Sequence, residues 1–134
     1  MQIVVVLLLG AFLALGLGRC SRSESLGTGG PDVVSRWAEQ QGFEGNERAV
    51  AGAQLFAEVG CLSCHTYLRT GSRNVGAPDL STIGRDSHRT EAAFANYIAN
   101  PSAFGNEVMP RFDAIPRDKL LLLGAFLRAS KGRG

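Results

Sequence analysis

Residues Cys61-Leu62-Ser63-Cys64-His65 read C-x-x-C-H, and this pentapeptide constrains the 134-residue chain more than any other stretch. Two thiols three positions apart can each form a thioether with one vinyl group of a single porphyrin. The histidine that follows can reach the iron from the same side. A covalently held cofactor needs no large enclosing pocket, so a short chain can carry it. Two other chemistries use the same cysteines. A zinc site needs two further ligands, and only Cys20 and His88 remain, both remote and without ligand spacing. A thioredoxin-like pair belongs at the start of a helix that follows a strand, and no strand-like alternation precedes Cys61. Attachment of one haem c is therefore the expectation.

The N-terminus reads as something other than the domain. Ile3 to Gly18 is an unbroken apolar or glycine run of 16 residues, closed by Arg19, Cys20 and Arg22. As a helix it would be about 24 Å long, slightly short of a bilayer core of about 30 Å. A signal-peptide core or a minimal membrane anchor fits that length. Leu17-Gly18-Arg19-Cys20 resembles a bacterial lipobox, in which cleavage leaves a lipidated cysteine, and departs from it at Arg19, where a small residue is expected. The other reading is an anchor helix kept whole, with Cys20 at the membrane edge. Both readings tether an exported domain to a membrane. A plain cleaved signal peptide ranks third, because its small-x-small site is poorly formed. Ser21 to Gly30 (SRSESLGTGG) reads as a solvated linker. The expected division is 1–19 for the apolar segment, 20–31 for the linker and 32–134 for the domain.

Arg19, Arg22 and Glu24 are the only charged side chains in residues 1–30, and the remainder is almost neutral. Nucleic-acid binding and strong electrostatic steering are unsupported by such a surface. Arg69, Arg73, Arg85 and Arg89 do concentrate in one stretch. A solvated loop face is the plain reading, and a docking patch or haem-propionate contacts the sharper one.

The domain patterns as helices. Asp32–Gln41 places Val33, Val34 and Trp37 on one face, with Trp37 a packing anchor. Asn46 caps a second helix in which Val50, Ala53, Phe56 and Ala57 recur at helical spacing and Gly60 supplies a stop. Gly52 inside it would weaken the helix unless another element crosses closely there. Residues 66–89 show no sustained period and read as a long loop that needs a surface to pack on. Thr90 caps a third helix through Phe94, Tyr97 and Ile98, ended by Asn100-Pro101. A last helix begins near Pro116 and carries Leu120, Leu123, Phe126 and Leu127. The class is all-α, with three to five helices.

Apart from the initiator, Met109 is the only methionine. It lies in a loop beside Pro110, 44 residues after His65, where filling a core is a poor explanation. A thioether is soft and neutral, favours ferrous iron and raises the reduction potential relative to a second imidazole. The rival sixth ligand is His88, among charged neighbours in a loop. Met109 is favoured.

Residues 46–132 resemble the class I monohaem cytochromes c. The resemblance is carried by Gly52 and Phe56, the Cys61–His65 motif, Gly76-Ala77-Pro78-Asp79-Leu80, the Met109-Pro110-x-Phe112 loop, and Phe126. It implies first and last helices that cross at right angles through Gly52 with Phe56 and Phe126 facing. It implies thioethers at Cys61 and Cys64, axial ligands His65 and Met109, and a Pro78 carbonyl that orients His65. The electron would leave by the edge near the thioethers. Tyr67, Leu80, Phe94, Tyr97, Ile115 and Leu123 would dry the haem, and each is foremost a core residue. The segment around Trp37 has no counterpart in this pattern.

With both axial positions taken, the chemistry left is electron transfer rather than catalysis on a small-molecule substrate. The expected function is a membrane-tethered carrier between respiratory complexes, with the haem domain on the periplasmic side of a bacterial cytoplasmic membrane. The alternative is a fixed haem subunit of a larger membrane redox complex. A haem-based gas binder or peroxidase, with Met109 off the iron, ranks third.

Overall fold

The computed structural model describes residues 31–132, so the anchor and lipidation readings of residues 1–19 and Cys20 and most of the expected linker lie outside the described residues. Four α-helices carry the domain: α1 (Pro31–Gln41), α2 (Glu47–Glu58), α3 (Glu91–Ala99) and α4 (Arg117–Ala129). The domain is helix-rich with little strand, as an all-α reading requires. Among the described residues no helix is long and apolar enough to cross a membrane.

Each helix starts and stops for a local reason. Pro31, expected to close the linker, is instead the first residue of α1, where its missing N–H costs nothing. Gly42 (φ +75) ends that helix. Asn46 caps α2 through its side chain, which accepts from Ala49 N at 3.1 Å. Gly60 (φ +86) turns the chain beyond the end of α2. Thr90 caps α3 by accepting from Ala93 N at 3.0 Å. Pro116 stands one residue before α4 at its cap.

The buried positions keep helical spacing. Val34, Trp37, Ala38 and Gln41 are the buried stripe of α1, and Ala49, Gly52, Ala53, Phe56 and Ala57 that of α2. The closest approach is between α2 and α4. A Cβ at Gly52 would lie 2.6 Å from Leu122 C and 2.8 Å from Phe126 Cβ, and against Leu122 O as well, so glycine is required at the crossing. Gly124 does the same for α3 on α4, with Glu91 C only 2.9 Å from where a Cβ would stand.

Around the crossing sit five rings. Phe126 packs against Phe56 at 5.2 Å, Tyr67 at 4.8 Å, Phe43 at 5.8 Å and Trp37 at 6.2 Å between centroids. Trp37, 2 % exposed, also stands edge-on to Tyr67 at 4.9 Å. The α1 segment is thus part of the aromatic core, and its indole fills the space beside the α2–α4 contact. Gln41 then ties α1 to two distant segments, donating to Ser81 O at 2.9 Å and accepting from Gly132 N at 2.6 Å.

The stretch 66–89, read from sequence as irregular, contains a hairpin. Strands β1 (Thr66–Tyr67) and β2 (Thr70–Gly71) pair antiparallel, with Thr66 opposite Gly71 and Tyr67 opposite Thr70. Leu68 (φ 45) and Arg69 (φ 69) make the turn in the left-handed region that Gly and Asn usually occupy. A Leu-Arg pair gives no turn signal. The conformation is held from outside, because Leu68 N donates to Ser81 Oγ at 2.8 Å.

Candidate functional site

The C-x-x-C-H motif follows α2 as a tight 3-10 turn, Cys61–Ser63, with His65 N donating to Cys61 O at 2.9 Å. Leu62, 2 % exposed, pins the turn to the core between the two cysteines. β2 crosses directly over it: a Cβ at Gly71 (φ +105) would press on His65 O and stand 3.0 Å from Leu62 Cδ2. Both thiols are free; Cys61 is half-buried and Cys64 exposed. Burial pushes the Cys61 thiol up to about 11, outweighing its backbone hydrogen bond. It therefore stays protonated at neutral pH, the opposite of the activated thiolate of a C-x-x-C oxidoreductase. Among the described residues no three His, Cys, Asp or Glu side chains gather as a metal-holding group.

His65 and Pro78 come together. The His65 Nδ1 and Pro78 O are 2.9 Å apart, and because a carbonyl only accepts, Nδ1 carries the proton. In the neutral ring this leaves the lone pair on Nε2. The segment that delivers Pro78 is itself well anchored. Leu80 N donates to Thr66 O at 2.9 Å, Thr66 Oγ1 to Asp79 Oδ2 at 2.6 Å, and Ser81 N to Asp79 Oδ1 at 2.9 Å. Burial alone would raise the Asp79 carboxyl. The hydrogen bonds from Ser81 and Thr66, with the charge of Arg73, outweigh it and hold that group below the ordinary carboxylate value.

Met109 arrives from a separate loop, between the 3-10 turn Pro101–Phe104 and α4, and lies half-buried against the core. Leu80, Ile83, Phe112 and Ile115, from the same two loops, are also partly buried against the core. His88 is exposed; its backbone N donates to Asp86 Oδ1 at 3.0 Å in a turn that leads to α3. Of the four clustered arginines, Arg85 donates to Lys131 O at 2.5 Å and Arg89 pairs with Asp86 at 3.1 Å. Arg69 and Arg73 remain exposed on and beside the hairpin.

Tyr67 turns its hydroxyl into the core. Ser130 Oγ donates to Phe126 O at 2.8 Å and so can only accept from Tyr67 OH, also at 2.8 Å. That hydroxyl is spent inside the core. Sequence reading passed over Asn106, whose side chain accepts from Val108 N and Met109 N and donates to Tyr97 OH. The available signal was an asparagine two and three residues ahead of those N–H groups, the pattern of an Asx turn. Gln41 was passed over too, and no local pattern marks it.

An open concavity of about 630 Å³, lined in part by Phe43, Asn46, Glu91, Arg128 and Lys131, contains none of the expected site residues. Its lining is mostly surface polar groups and glycine, so shape alone does not make it the site. The chain matches no protein-family model, no curated protein and no solved structure. The functional reading accordingly rests on the residues themselves.

Proposed function

We propose that this chain is a membrane-tethered, monohaem c-type cytochrome that transfers electrons between membrane redox complexes on the extracytoplasmic side. One observation carries the reading: directly after C-x-x-C, the His65 ring gives its Nδ1–H to Pro78 O at 2.9 Å and presents Nε2 as a free donor. Imidazoles that ligate metals almost always give their other N–H to a carbonyl or carboxylate, which fixes the ring and strengthens its donation. A dithiol-exchange role for the cysteines would leave this arrangement without a purpose.

The residues present fit a haem. Cys61 and Cys64 offer two sulfurs on one turn, held to the core by Leu62. His65 Nε2 and the Met109 thioether would be the axial ligands. Leu80, Ile83, Phe112 and Ile115 are apolar and only partly covered, as suits side chains that flank a flat apolar ring and exclude water from it. When bound, haem c supplies one-electron exchange between Fe(II) and Fe(III). With His65 and Met109 both engaged, the chain offers no open position for a substrate, and the role left to it is carriage of electrons.

The test is production of the full chain, with its own N-terminus, in a bacterium that exports and matures c-type cytochromes. Intact mass of the denatured protein should rise by one haem per chain, and the native reduced protein should not bind CO. An unmodified mass would overturn the reading. Covalent haem together with CO binding would replace the carrier with a gas-binding or peroxidase role.

A further inference from the structure

A methionine side chain has three rotatable bonds and no directional hydrogen bond of its own, so the backbone must aim it. The backbone around Met109 has little else to hold it. Glu107, Val108, Pro110 and Arg111 are all exposed, Val108 at 92 %, so burial does not fix this turn. Phe112 N ties the far side of the loop to Ile98 O at 3.3 Å, and within the turn itself one side chain holds it. Asn106 Oδ1 accepts from Val108 N and from Met109 N, each at 3.1 Å. Its Nδ2 donates to Tyr97 OH at 2.7 Å. Tyr97 belongs to α3, packed on α4, and its ring rests on Phe104 at 5.5 Å. Gly105 (φ +82) reverses the chain just before Asn106, and Asn106 N donates to Pro101 O at 3.2 Å. A single carboxamide therefore connects a core helix to the backbone N–H of the methionine.

We propose that Asn106 is the positioning residue for the axial Met109: the Tyr97–Asn106 strap holds the turn so that the thioether stays on the iron. This inference rests on the assignment of Met109 as sixth ligand. The strap needs an acceptor for two N–H groups and a link to the Tyr97 hydroxyl. Aspartate preserves both, since a carboxylate can accept from the turn and from the tyrosine O–H; alanine preserves neither.

The experiment is titration of the haem-loaded, full-length ferric protein with imidazole, which competes with the thioether. It is followed by the thioether–iron(III) charge-transfer band and by the upfield-shifted methyl resonance of the ligated methionine in the ferrous protein. In Asn106→Ala, imidazole should displace Met109 at about tenfold lower concentration. Asn106→Asp should stay within about threefold of the parent. Haem content, which depends on Cys61 and Cys64, should not change in either variant. A purely structural contribution would lower thermal stability while leaving the imidazole midpoint in place. An Asn106→Ala protein with the parental midpoint overturns the strap and leaves Met109 ligation standing. A parent protein with no thioether signal overturns both. If Asn106→Ala does not accumulate, Tyr97→Phe reads the same strap from its other end. It should lower the midpoint about threefold, and no change there overturns the proposal.

Discussion

Replacing Gly52 by alanine tests the helix crossing on which the rest of the fold depends. The new Cβ would stand 2.6 Å from Leu122 C and 2.8 Å from Phe126 Cβ, where ordinary contact begins near 3.4 Å. The nearest obstacle is Leu122 O on the backbone of α4, so no side-chain rotation relieves it, and the helices must part by more than about 0.8 Å. Alanine gains about 1 kcal/mol in helix propensity over glycine. Overpacking of this kind costs about 3 kcal/mol, at the upper end of its usual range because backbone rather than a flexible side chain is in the way. The net loss is about 2 kcal/mol, and for a domain of this size the melting temperature should fall by about 10 °C. The paired control is Gly45→Ala, where no atom lies within 4 Å of the added carbon and no left-handed backbone is involved. Thermal unfolding followed by far-UV circular dichroism, at matched cofactor content, compares the three proteins. Melting of Gly52→Ala at or above the parent temperature, with Gly45→Ala unchanged, would show that α2 and α4 do not touch at this point.

Trp37→Ala should cost about 3–5 kcal/mol in denaturant unfolding, since the ring is buried among Phe56, Tyr67 and Phe126. A loss below about 1 kcal/mol would separate α1 from the core. For the cysteines, Cys61→Ala or Cys64→Ala should each retain haem through one thioether, and the double variant should lose all covalent haem on a denaturing gel; retention in the double variant refutes the attachment site. Acid should weaken the Pro78–Ser81 anchor. The Asp79 carboxyl is lowered in the fold from 3.8, so its contribution is complete above that value and disappears as pH falls through the lower folded value. The melting temperature should therefore drop below about pH 4, and Asp79→Asn should show a shallower drop from a lower starting point. Parallel pH profiles for the two proteins would rule out this role.

Much of the helical frame was legible because its signals are local. Asn46 and Thr90 cap α2 and α3 through bonds to residues three positions on, and such bonds can be read from spacing. Gly52 was readable as an anomaly, a helix breaker inside a helix, that only close packing explains. The hairpin was not readable. Its turn uses Leu68 and Arg69 where the chain shows no Gly or Asn, and a contact from Ser81 sustains it. The role of α1 was equally hidden, because Trp37 meets rings from α2, β1 and α4 that no periodicity connects.

By itself the sequence determined which side chains are offered and in what local order: two thiols and an imidazole on one turn, one thioether in a later loop, and apolar stripes at helical spacing. Those follow from chemistry acting over a few residues. Tertiary structure decided which lone pair of His65 is presented, because the proton on Nδ1 is fixed by a carbonyl 13 residues away. It also decided that Tyr67 serves the core through Ser130, 63 residues on, and that Gln41 clasps Gly132 across 91 residues. Such bonds exist only once the chain has closed on itself. No spacing rule records them, since each depends on the mutual position of helices rather than on the order of residues.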